Sequence, residues 1–458
     1  MLSYPQVRIW LLQTYYKKKS LYNISFTLNI EGTLNLGLFN KCINILILRN
    51  DILKTNIKNI NGKPQLIFNK KIFKMEISDN QLYIQKFLDI PFDLENDILI
   101  KILKVNDKLI FCLSDIIIDG FSINNLFEEL SYIYNKLIKK NIPNRKFGNS
   151  YYEYLDKISN IENNSIIFWK SILKNDIHYN FPINISDISD IDSIVEKRMK
   201  GIFSNKKLDK INTFIKDKNI TVFDLFTSVL YILINKYTKS SYICIDTIKG
   251  TNDFGNILIG ILNNTIILPC NFNSSIRVND FIEICKNNKI KIFENSSIYL
   301  EKLVNNLDLN NLPNIRIHFE YLNSKYNTTI ELGNCILKPE SYENTNTSIR
   351  QLIIFNFAVR KDIIKYNISY KKKCFSDENI IEIDKNFSKI LDMILDSNYY
   401  IHQILDEIEI KTDYNYFYKQ SIDKRLIAYK IAGNYPNINY YNFKNQLDKM
   451  KDNSNSTI

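Results

Sequence analysis

Glycine, proline and histidine are scarce in this 458-residue chain, which has 11 Gly, 9 Pro and 3 His. So little glycine and proline excludes a collagen-like chain, and 45% hydrophobic with 13% aromatic residues excludes a disordered one. No apolar run reaches the roughly 18 residues that a membrane span needs, because Asn, Lys or Asp interrupts every Ile/Leu stretch. The basic cluster Lys17–Lys19 follows the apolar N-terminal residues, the reverse of a secretory signal. We expect a soluble, cytoplasmic protein with sizeable cores.

The cysteines and histidines form no pattern that binds a metal ion. Seven cysteines are scattered and never spaced as CxxC: Cys42, Cys112, Cys244, Cys270, Cys285, Cys335 and Cys374. This predicts buried free thiols in a reducing compartment. The three histidines, His178, His318 and His402, lie far apart in the sequence. We therefore expect no metal site and no cofactor bound by the chain itself.

The net charge of +11 comes from 60 basic and 49 acidic residues. A basic balance can serve nucleic acid, an anionic membrane or an acidic protein partner. Lysine is spread through the chain, and only the short runs Lys17–Lys19 and Lys371–Lys373 stand out. We predict no nucleic-acid binding and no membrane binding, although the sign suits an acidic partner.

Helical and strand patterns are mixed along the whole chain. In the first part the spacing of apolar residues predicts a helix at Gln6–Tyr16, a strand at Asn23–Glu31, a helix at Leu36–Ile47, a strand at Leu109–Ile118 closed by a tight turn at Asp119-Gly120, and then a long amphipathic helix. Asn175–Ser193 is polar and predicts a connection. Beyond it we predict helices at Val222–Tyr237 and Phe387–Leu395 and strands at Tyr242–Asp246, Leu258–Pro269 and Ile315–Tyr321.

These elements predict an α/β protein of two lobes, each a mixed sheet with helices. About one domain per 150 residues would give three domains, but two larger lobes fit equally well. We predict an N-terminal lobe at 1–175, a C-terminal lobe at 185–410 and a polar tail at 411–458.

One segment carries a resemblance to a known family. Ser114-Asp115-Ile116-Ile117-Ile118-Asp119-Gly120-Phe121-Ser122 resembles the HHxxxDGxS signature of condensation domains of nonribosomal peptide synthetases, with both histidines replaced. Other segments match that family in the right order over residues 2 to about 410: Gln6, Arg8 and Trp10 (Q-x-R-x-W), Arg49–Thr55 (RHExLRT), Phe92–Leu94 (FDL), Ile259–Thr265 (IGxFVNT) and Leu300–Val304 (FEKLV).

The resemblance implies two chloramphenicol-acetyltransferase-like lobes in a V shape around a central tunnel. It also implies that carrier proteins deliver substrates on phosphopantetheine arms, and that an acceptor amine attacks a donor thioester to form an amide. In the tail, Gly433–Pro436 resembles the linker to an adenylation domain. The alternative is an ordinary polar tail with one helix, capped by Ser421 and ended by Gly433.

The resemblance also implies roles for the altered positions. Asp115 stands where the family has its tunnel histidine. An ordinary Asp, with a pKa of about 3.9 against about 6.5 for His, is a weak general base, but burial can raise its pKa or its charge can hold an ammonium group. Ser114 replaces a histidine with a structural role, and a nucleophilic Ser114 would need a histidine that the nearby sequence lacks.

Further candidate residues follow from the same resemblance. Asp119 should pair with a base of the second lobe, Lys197 or Arg198, and Gly120 should supply the turn and leave room for a pantetheine arm. Asn263, Asn264 and His318 are candidate tunnel-lining residues; the alternative for His318 is a histidine paired with solvent or a carboxylate. Pro269 stands where the family has an arginine.

Three functions remain open at this point. The first is an amide-forming condensation catalyst that uses alignment and Asp115. The second is a catalytically silent condensation-like domain that binds carrier proteins or recruits a tailoring enzyme. The third is an acyltransferase acting on a free small amine or alcohol. Carrier proteins are expected partners, with an adenylation domain or a tailoring enzyme as further ones.

Overall fold

The structure is a computed structural model of the chain. It describes residues 2–15, 22–144, 150–159, 164–177, 179–186, 196–250, 258–321, 329–340, 351–360, 363–418 and 424–455. His178 and Ser421 lie outside the described residues. The described part contains two six-stranded sheets, two two-stranded sheets and two separate hydrophobic cores.

The first sheet and its helices form what we call the first lobe. Across the sheet the strands are β12 (Ile330–Leu332), β13 (Cys335–Pro339), β1 (Asn23–Gly32), β6 (Lys108–Ser114), β5 (Ile100–Val105) and β4 (Glu76–Ser78). The helices are α1 (Tyr4–Tyr15), α2 (Leu36–Arg49), α3 (Tyr83–Asp89), α4 (Gly120–Ile138) and α5 (Tyr151–Ser159), and a hairpin of β2 (Thr55–Ile60) and β3 (Lys63–Phe68) lies beside them. The rings of Phe26, Phe111 and Phe127 meet at 5.1–5.7 Å in its core.

The second sheet, with its own helices, forms the second lobe. Its strands in order are β10 (Asn263–Asn271), β9 (Tyr242–Gly250), β11 (Ile315–Tyr321), β14 (Ile353–Arg360), β15 (Ile363–Lys371) and β8 (Glu196–Ile202). The helices are α6 (Asn164–Ile172), α7 (Asn205–Asp217), α8 (Val222–Thr238), α9 (Val278–Glu294), α10 (Leu300–Asn306), α11 (Asp377–Asp396) and α12 (Ile401–Glu407). This confirms the predicted α/β fold class.

Helix α8 shows why the sequence folds as predicted here. Thr221 accepts a hydrogen bond from Asp224 N while the Asp224 carboxylate accepts one from Thr221 N, which forms a capping box. The helix ends where Lys239 takes a left-handed φ of 57°. Between these ends almost every side chain is buried, so the apolar run at 222–237 is a core helix.

The strand pairing departs from the predicted boundary between lobes. Strands β12 and β13, inside the range predicted for the C-terminal lobe, pair with β1 of the first sheet. This pairing covers an edge of β1 that would otherwise expose unpaired backbone groups. Residues 258–262, predicted as the start of a strand, pack instead into the first core, and β10 begins at Asn263.

Three other local predictions were wrong. Strand β6 ends at Ser114 instead of Ile118. Gly120 is the first residue of helix α4 and lies in no hairpin turn, because the Asp119 side chain caps the helix. The connection predicted at 175–193 contains a short strand, β7 (Phe181–Ile183), which pairs with β16 (Tyr416–Tyr418) of the tail.

The tail is packed and structured, although its composition is polar. It contains α13 (Lys424–Ala432) and α14 (Tyr440–Asn455). Phe443 and Leu447 are fully buried in the first core, whereas Leu426 and Tyr429 belong to the second core. Ile427 and Ala428 of α13 lie in the first core, so this helix contacts both cores, and it ends before Gly433, whose N–H donates to Tyr429 O.

Two further expectations concern cysteines and membrane spans. All seven cysteines are free and buried, which confirms that prediction. Among the described residues no single helix has the length and apolar character to cross a membrane; the bent pair α7 and α8 meets the criterion by length and composition alone.

Candidate functional site

The end of strand β6 places Ser114 inside the fold. Ser114 is fully buried, its backbone N–H donates to Leu99 O at 3.0 Å, and Ile117 N donates to Ser114 O at 3.1 Å. Its hydroxyl lies 3.5 Å from Ile116 N. An enclosed hydroxyl is a poor nucleophile for a tethered thioester, so this burial favours the structural role implied for the position over catalysis.

Asp115 follows at the turn between β6 and α4. Its backbone N–H donates to Tyr22 O at 2.7 Å, which ties the turn to the residue before β1. The next three residues, Ile116–Ile118, are all at most 1% exposed, whereas Asp115 itself is only half-buried. Burial raises the pKa of the Cys112 thiol to about 11. The positive charge of Lys101 opposes this rise, and the negative charge of Asp115 adds to it. The local fold thus holds this carboxylate in a fixed turn.

Asp119 and Ser122 bind the backbone of residues 258–262, and we call this set the motif clasp. Ser122 N donates to Asp119 Oδ1 at 2.9 Å, and Leu262 N donates to Asp119 Oδ2 at 2.6 Å. Ser122 Oγ donates to Gly260 O at 2.7 Å and accepts from Gly260 N at 3.1 Å. Burial raises the pKa of Asp119, and backbone N–H donors, including that of Asn263, oppose the rise.

The two basic residues predicted to pair with Asp119 bond to other carboxylates in the structure. Lys197 bonds to Asp377, and Arg198 bonds to Glu196, while the groups that hold the Asp119 carboxylate are the backbone N–H groups of the motif clasp. The first turn of α4 and the buried backbone that leads into β10 supply these donors, so the carboxylate needs no basic side chain. Asp119 thus joins the lobes through backbone hydrogen bonds in place of the predicted ion pair.

Tight packing surrounds the motif clasp. A Cβ on Gly260 would lie 2.2 Å from the Tyr151 ring, and one on Gly250 would lie 2.7 Å from the Phe121 ring. These glycines let the two lobes approach closely. By contrast, Gly120 is exposed, and a Cβ there would meet nothing within 4 Å. The passage of a pantetheine arm beside Gly120 stays a prediction.

The second sheet has one apolar face and one polar face. Side chains alternate between faces along a strand, and residues directly opposite in a ladder share a face. The register pairs Asp246 with Arg316, and His318 with Asn356 and then Asn367. We call this side the polar face; it includes Asp246, Asn263, Arg316, His318, Asn356, Asn367 and Ser369, together with Arg198 and Lys200 of the edge strand β8. The other side carries Ile317, Phe319, Phe355 and Phe357, buried in the second core.

The two asparagines at the start of β10 point to opposite faces. Asn264 donates to Ser296 O at 3.1 Å and Ile298 O at 2.7 Å and accepts from Leu300 N at 3.2 Å. Its amide thus fastens β10 to the segment before α10 and is not available to a substrate. Asn263 pairs with Gly250 and lies on the polar face, next to the motif clasp.

His318 lies near the middle of the polar face. Its Nδ1 is enclosed and has no hydrogen-bond partner among the described residues. Burial, with a smaller contribution from Arg316, lowers the pKa of His318 to about 4. The imidazole is therefore neutral at pH 7. This nitrogen pairs with no carboxylate of the described residues, and the side chain as a whole is half-buried.

Ser122 matches the serine of the signature, whereas Asn125 and Asn356 match no motif in the sequence. Ser122 and Asn125 bond to Gly260 O and Leu258 O, both at 2.7 Å, and Asn356 lies beside His318. The strand alternation at 353–369 would have placed Asn356 and Asn367 on one face. The partners of Ser122 and Asn125 are backbone carbonyls far along the chain, so no side-chain pattern signals them. No group of three or more His, Cys, Asp or Glu side chains within the described ranges is arranged to hold a metal ion.

Comparison with known proteins identifies the family. The family model described as Condensation domain matches residues 1–410. The chain therefore belongs to the condensation-domain family of nonribosomal peptide synthetases, as its motifs predict.

Individual relatives are large synthetases. The chain is 23% identical over 434 residues to bacitracin synthase 1 of Bacillus licheniformis, covering 87% of this chain and 8% of that protein. It is 25% identical over 419 residues to gramicidin S synthase 2 of Aneurinibacillus migulanus, covering 86% and 9%. The chain thus spans about a tenth of the length of these relatives.

Solved structures share the fold. The X-domain from teicoplanin biosynthesis superposes with a TM-score of 0.77 at 14% identity, covering 90% of this chain and 97% of that one. The four-domain nonribosomal peptide synthetase holo-AB3403 gives a TM-score of 0.74 at 16% identity, covering 88% of this chain and 33% of that one. The starter condensation domain of rhizomide synthetase gives 0.72 at 14%, covering 89% and 97%.

Proposed function

We propose that this chain joins a carrier-tethered acyl thioester to an amine, with Asp115 as the group that orients the amine. The observation that carries the proposal is the position of Asp115. It lies in a turn held by Tyr22 O on one side and by three buried isoleucines on the other, a few residues before the open space at Gly120. The V shape and the central tunnel remain predictions.

Alignment can account for most of the required rate. In amide formation the amine nitrogen bonds to the thioester carbon, the carbon–sulfur bond breaks, and the thiolate leaves and takes up the proton that the amine loses. Holding two reactants in the right geometry can supply roughly 7–11 kcal/mol of the barrier, whereas a general base contributes about 10²–10⁴-fold. A carboxylate at position 115 suits an ammonium group by charge and can accept its proton as the bond forms.

The proposal implies partners that the chain does not contain. The donor and acceptor would arrive on phosphopantetheine arms of carrier proteins. The basic net charge of +11 suits docking of acidic carriers. An adenylation domain is a further proposed partner, because condensation domains work with such domains in nonribosomal peptide synthetases.

A second function is favoured by a specific observation. Both histidines of the signature are replaced, Ser114 is enclosed, and the fold is similar to that of the X-domain, for which a solved complex with OxyB gives a TM-score of 0.77. By analogy with that complex, this chain would recruit a tailoring enzyme or bind carriers without forming amides.

The deciding experiment uses two carrier proteins, which would have to come from neighbouring genes. One is loaded with an acyl donor and the other with an amine acceptor, and transfer is followed by intact-mass spectrometry with and without this protein. We expect transfer that depends on the protein and falls at least tenfold in Asp115→Ala, with Asp115→Asn as the matched uncharged variant. Equal transfer by all three proteins would mean that alignment suffices without Asp115. Carrier binding without transfer would establish the recruitment function instead.

A further inference from the structure

The polar face of the second sheet has hydrogen-bonding atoms that the protein leaves unused. His318 Nδ1 has no partner among the described residues. Asn356 Nδ2 donates to Asn367 Oδ1 at 2.9 Å and to Ser369 Oγ at 3.3 Å, and Ser369 Oγ donates to Asn367 Oδ1 at 3.1 Å. Within the described part of the chain these bonds leave Asn356 Oδ1 and Asn367 Nδ2 without partners. An acceptor, a donor and an imidazole thus lie together.

The two charged side chains at the centre of the polar face, Arg316 and Asp246, are paired with each other. Arg316 binds Asp246 through two hydrogen bonds, the longer of them at 3.0 Å, and Gln351 Nε2 donates to Asp246 at 3.3 Å. Both members of this ion pair are largely buried. His318 beside it is uncharged at neutral pH. Arg198 and Lys200 of β8 stand opposite Ser369 and Asn367 at the edge of this face, whereas a charged group placed beside His318 would lie next to an ion pair that is already complete, so its desolvation would be poorly compensated.

The unused atoms lie in one row across three strands. His318 of β11 is opposite Asn356 of β14, which is opposite Asn367 of β15. Neighbouring strands are about 4.8 Å apart, so the row spans about 10 Å, enough for the side chain of one amino acid. Because Nδ1 has no partner, the protein does not select one imidazole tautomer, and the ring can act as donor or acceptor.

We propose that the polar face binds the side chain of one carrier-bound aminoacyl substrate, and that this side chain is an uncharged carboxamide, as in a glutaminyl or asparaginyl group. A carboxamide offers one acceptor and two donors, which match Asn367 Nδ2, Asn356 Oδ1 and His318. An apolar side chain would leave these atoms buried and unpaired, which disfavours its binding. This inference rests on the proposed function, because it assumes that aminoacyl thioesters reach this face.

The test measures binding and needs no turnover. Glutaminyl, glutamyl and leucyl N-acetylcysteamine thioesters are titrated into the full chain with ¹⁵N-labelled histidine rings, and dissociation constants are obtained from NMR shifts and calorimetry. Three histidines make assignment by single variants practical. We expect the glutaminyl thioester to bind at least tenfold more tightly than the other two and to shift the His318 signals.

Variants separate the polar face from the rest of the protein. His318→Leu should remove the preference for the glutaminyl thioester, and the milder Asn356→Ala should reduce it at least threefold. His402→Leu, an exposed position on α12, should change neither. Equal binding of the three thioesters, preferred binding of the leucyl or glutamyl one, or no binding of any would overturn the inference. Amide transfer without any preference would leave the proposed function standing, and a preference without transfer would leave only the inference standing.

Discussion

The motif clasp and the polar face differ in how completely their polar groups are bonded. Both oxygens of Asp119 and the hydroxyl of Ser122 have partners in the motif clasp. On the polar face, His318 Nδ1 is enclosed without one. Buried polar groups normally find partners, so an unmet one calls for an explanation such as a ligand. The residues that match the family signature thus join the lobes, and residues outside that signature carry the unused binding capacity.

The largest effect on stability is expected at a second contact between the lobes, which is a buried ion pair. Arg8 of α1 pairs with Glu301 of α10 at 2.7 Å, with the side chains 11% and 2% exposed, and its guanidinium lies 4.6 Å from the Tyr429 ring. Arg8→Ala leaves Glu301 buried and unpaired, and should lower the free energy of unfolding by about 3–5 kcal/mol in a urea titration.

The control for Arg8 is an exposed ion pair of the same region. Lys430 pairs with Asp308 at 2.6 Å, but Asp308 is 82% exposed, so Lys430→Ala should cost at most about 1 kcal/mol. Similar losses in the two variants would show that the Arg8 contact does not hold the lobes together.

Removing the cap of α4 should have the next largest effect. Asp119→Ala deletes the helix cap and leaves Leu262 N without its acceptor, with an expected cost of about 2–4 kcal/mol. Asp119→Asn keeps one acceptor oxygen and should cost roughly half as much. Chemical unfolding of the three proteins measures this, and a loss below about 0.5 kcal/mol in Asp119→Ala would contradict the role of the motif clasp.

The polar face should reveal itself through the pH dependence of stability. The pKa of His318 is lowered to about 4 from about 6.5 in the unfolded chain, so between these values the unfolded state binds a proton that the folded state does not. The contribution of the neutral His318 imidazole to the free energy of unfolding is therefore fully present above about pH 6.5 and is lost as the pH falls towards 4. Wild type should lose about 2 kcal/mol more than His318→Leu between pH 7.5 and pH 5.

The matched control for that experiment is His402, whose ring is exposed. His402→Leu should follow the wild-type pH dependence. If the His318→Leu curve also follows it, the imidazole is not held in its neutral form by burial.

The smallest effect is expected at Gly120. It lies at the start of a helix with an ordinary φ, and a Cβ would meet nothing within 4 Å, so Gly120→Ala should stabilise the protein by up to about 1 kcal/mol. Gly37→Ala at the start of α2, where the nearest atom is 3.6 Å away, should act alike. If a pantetheine arm passes Gly120, only Gly120→Ala should also slow transfer, whereas equal transfer by both variants would contradict that role.

Much of the architecture could be predicted from residue patterns. The apolar run at Val222–Tyr237 predicted α8, and the alternation at Ile315–Tyr321 predicted β11 and the shared face of Arg316 and His318. These signals are local, because a helix or strand must bury its own apolar stripe. The family resemblance was confirmed by the match over residues 1–410.

Predictions failed where distant segments meet. The tail is polar by composition, yet Phe443 and Leu447 of α14 are fully buried, because a few apolar side chains on one face are enough to pack a polar helix against a core. Asn263 and Asn264 are both predicted to line the tunnel, although one residue of offset places their side chains on opposite faces of β10. The sequence predicts a basic side chain as the partner of Asp119, whereas its partners in the structure are backbone N–H groups.

The sequence determined the helices and strands, the two apolar cores and the order of the family motifs, because these depend on periodicity within short segments. Only the tertiary structure decided which polar groups satisfy one another. It joined Asp119 to Leu262, 143 residues apart, and it left His318 Nδ1 enclosed and unbonded. A hydrogen bond requires two groups within about 3 Å of each other, and that proximity is a property of the packed chain.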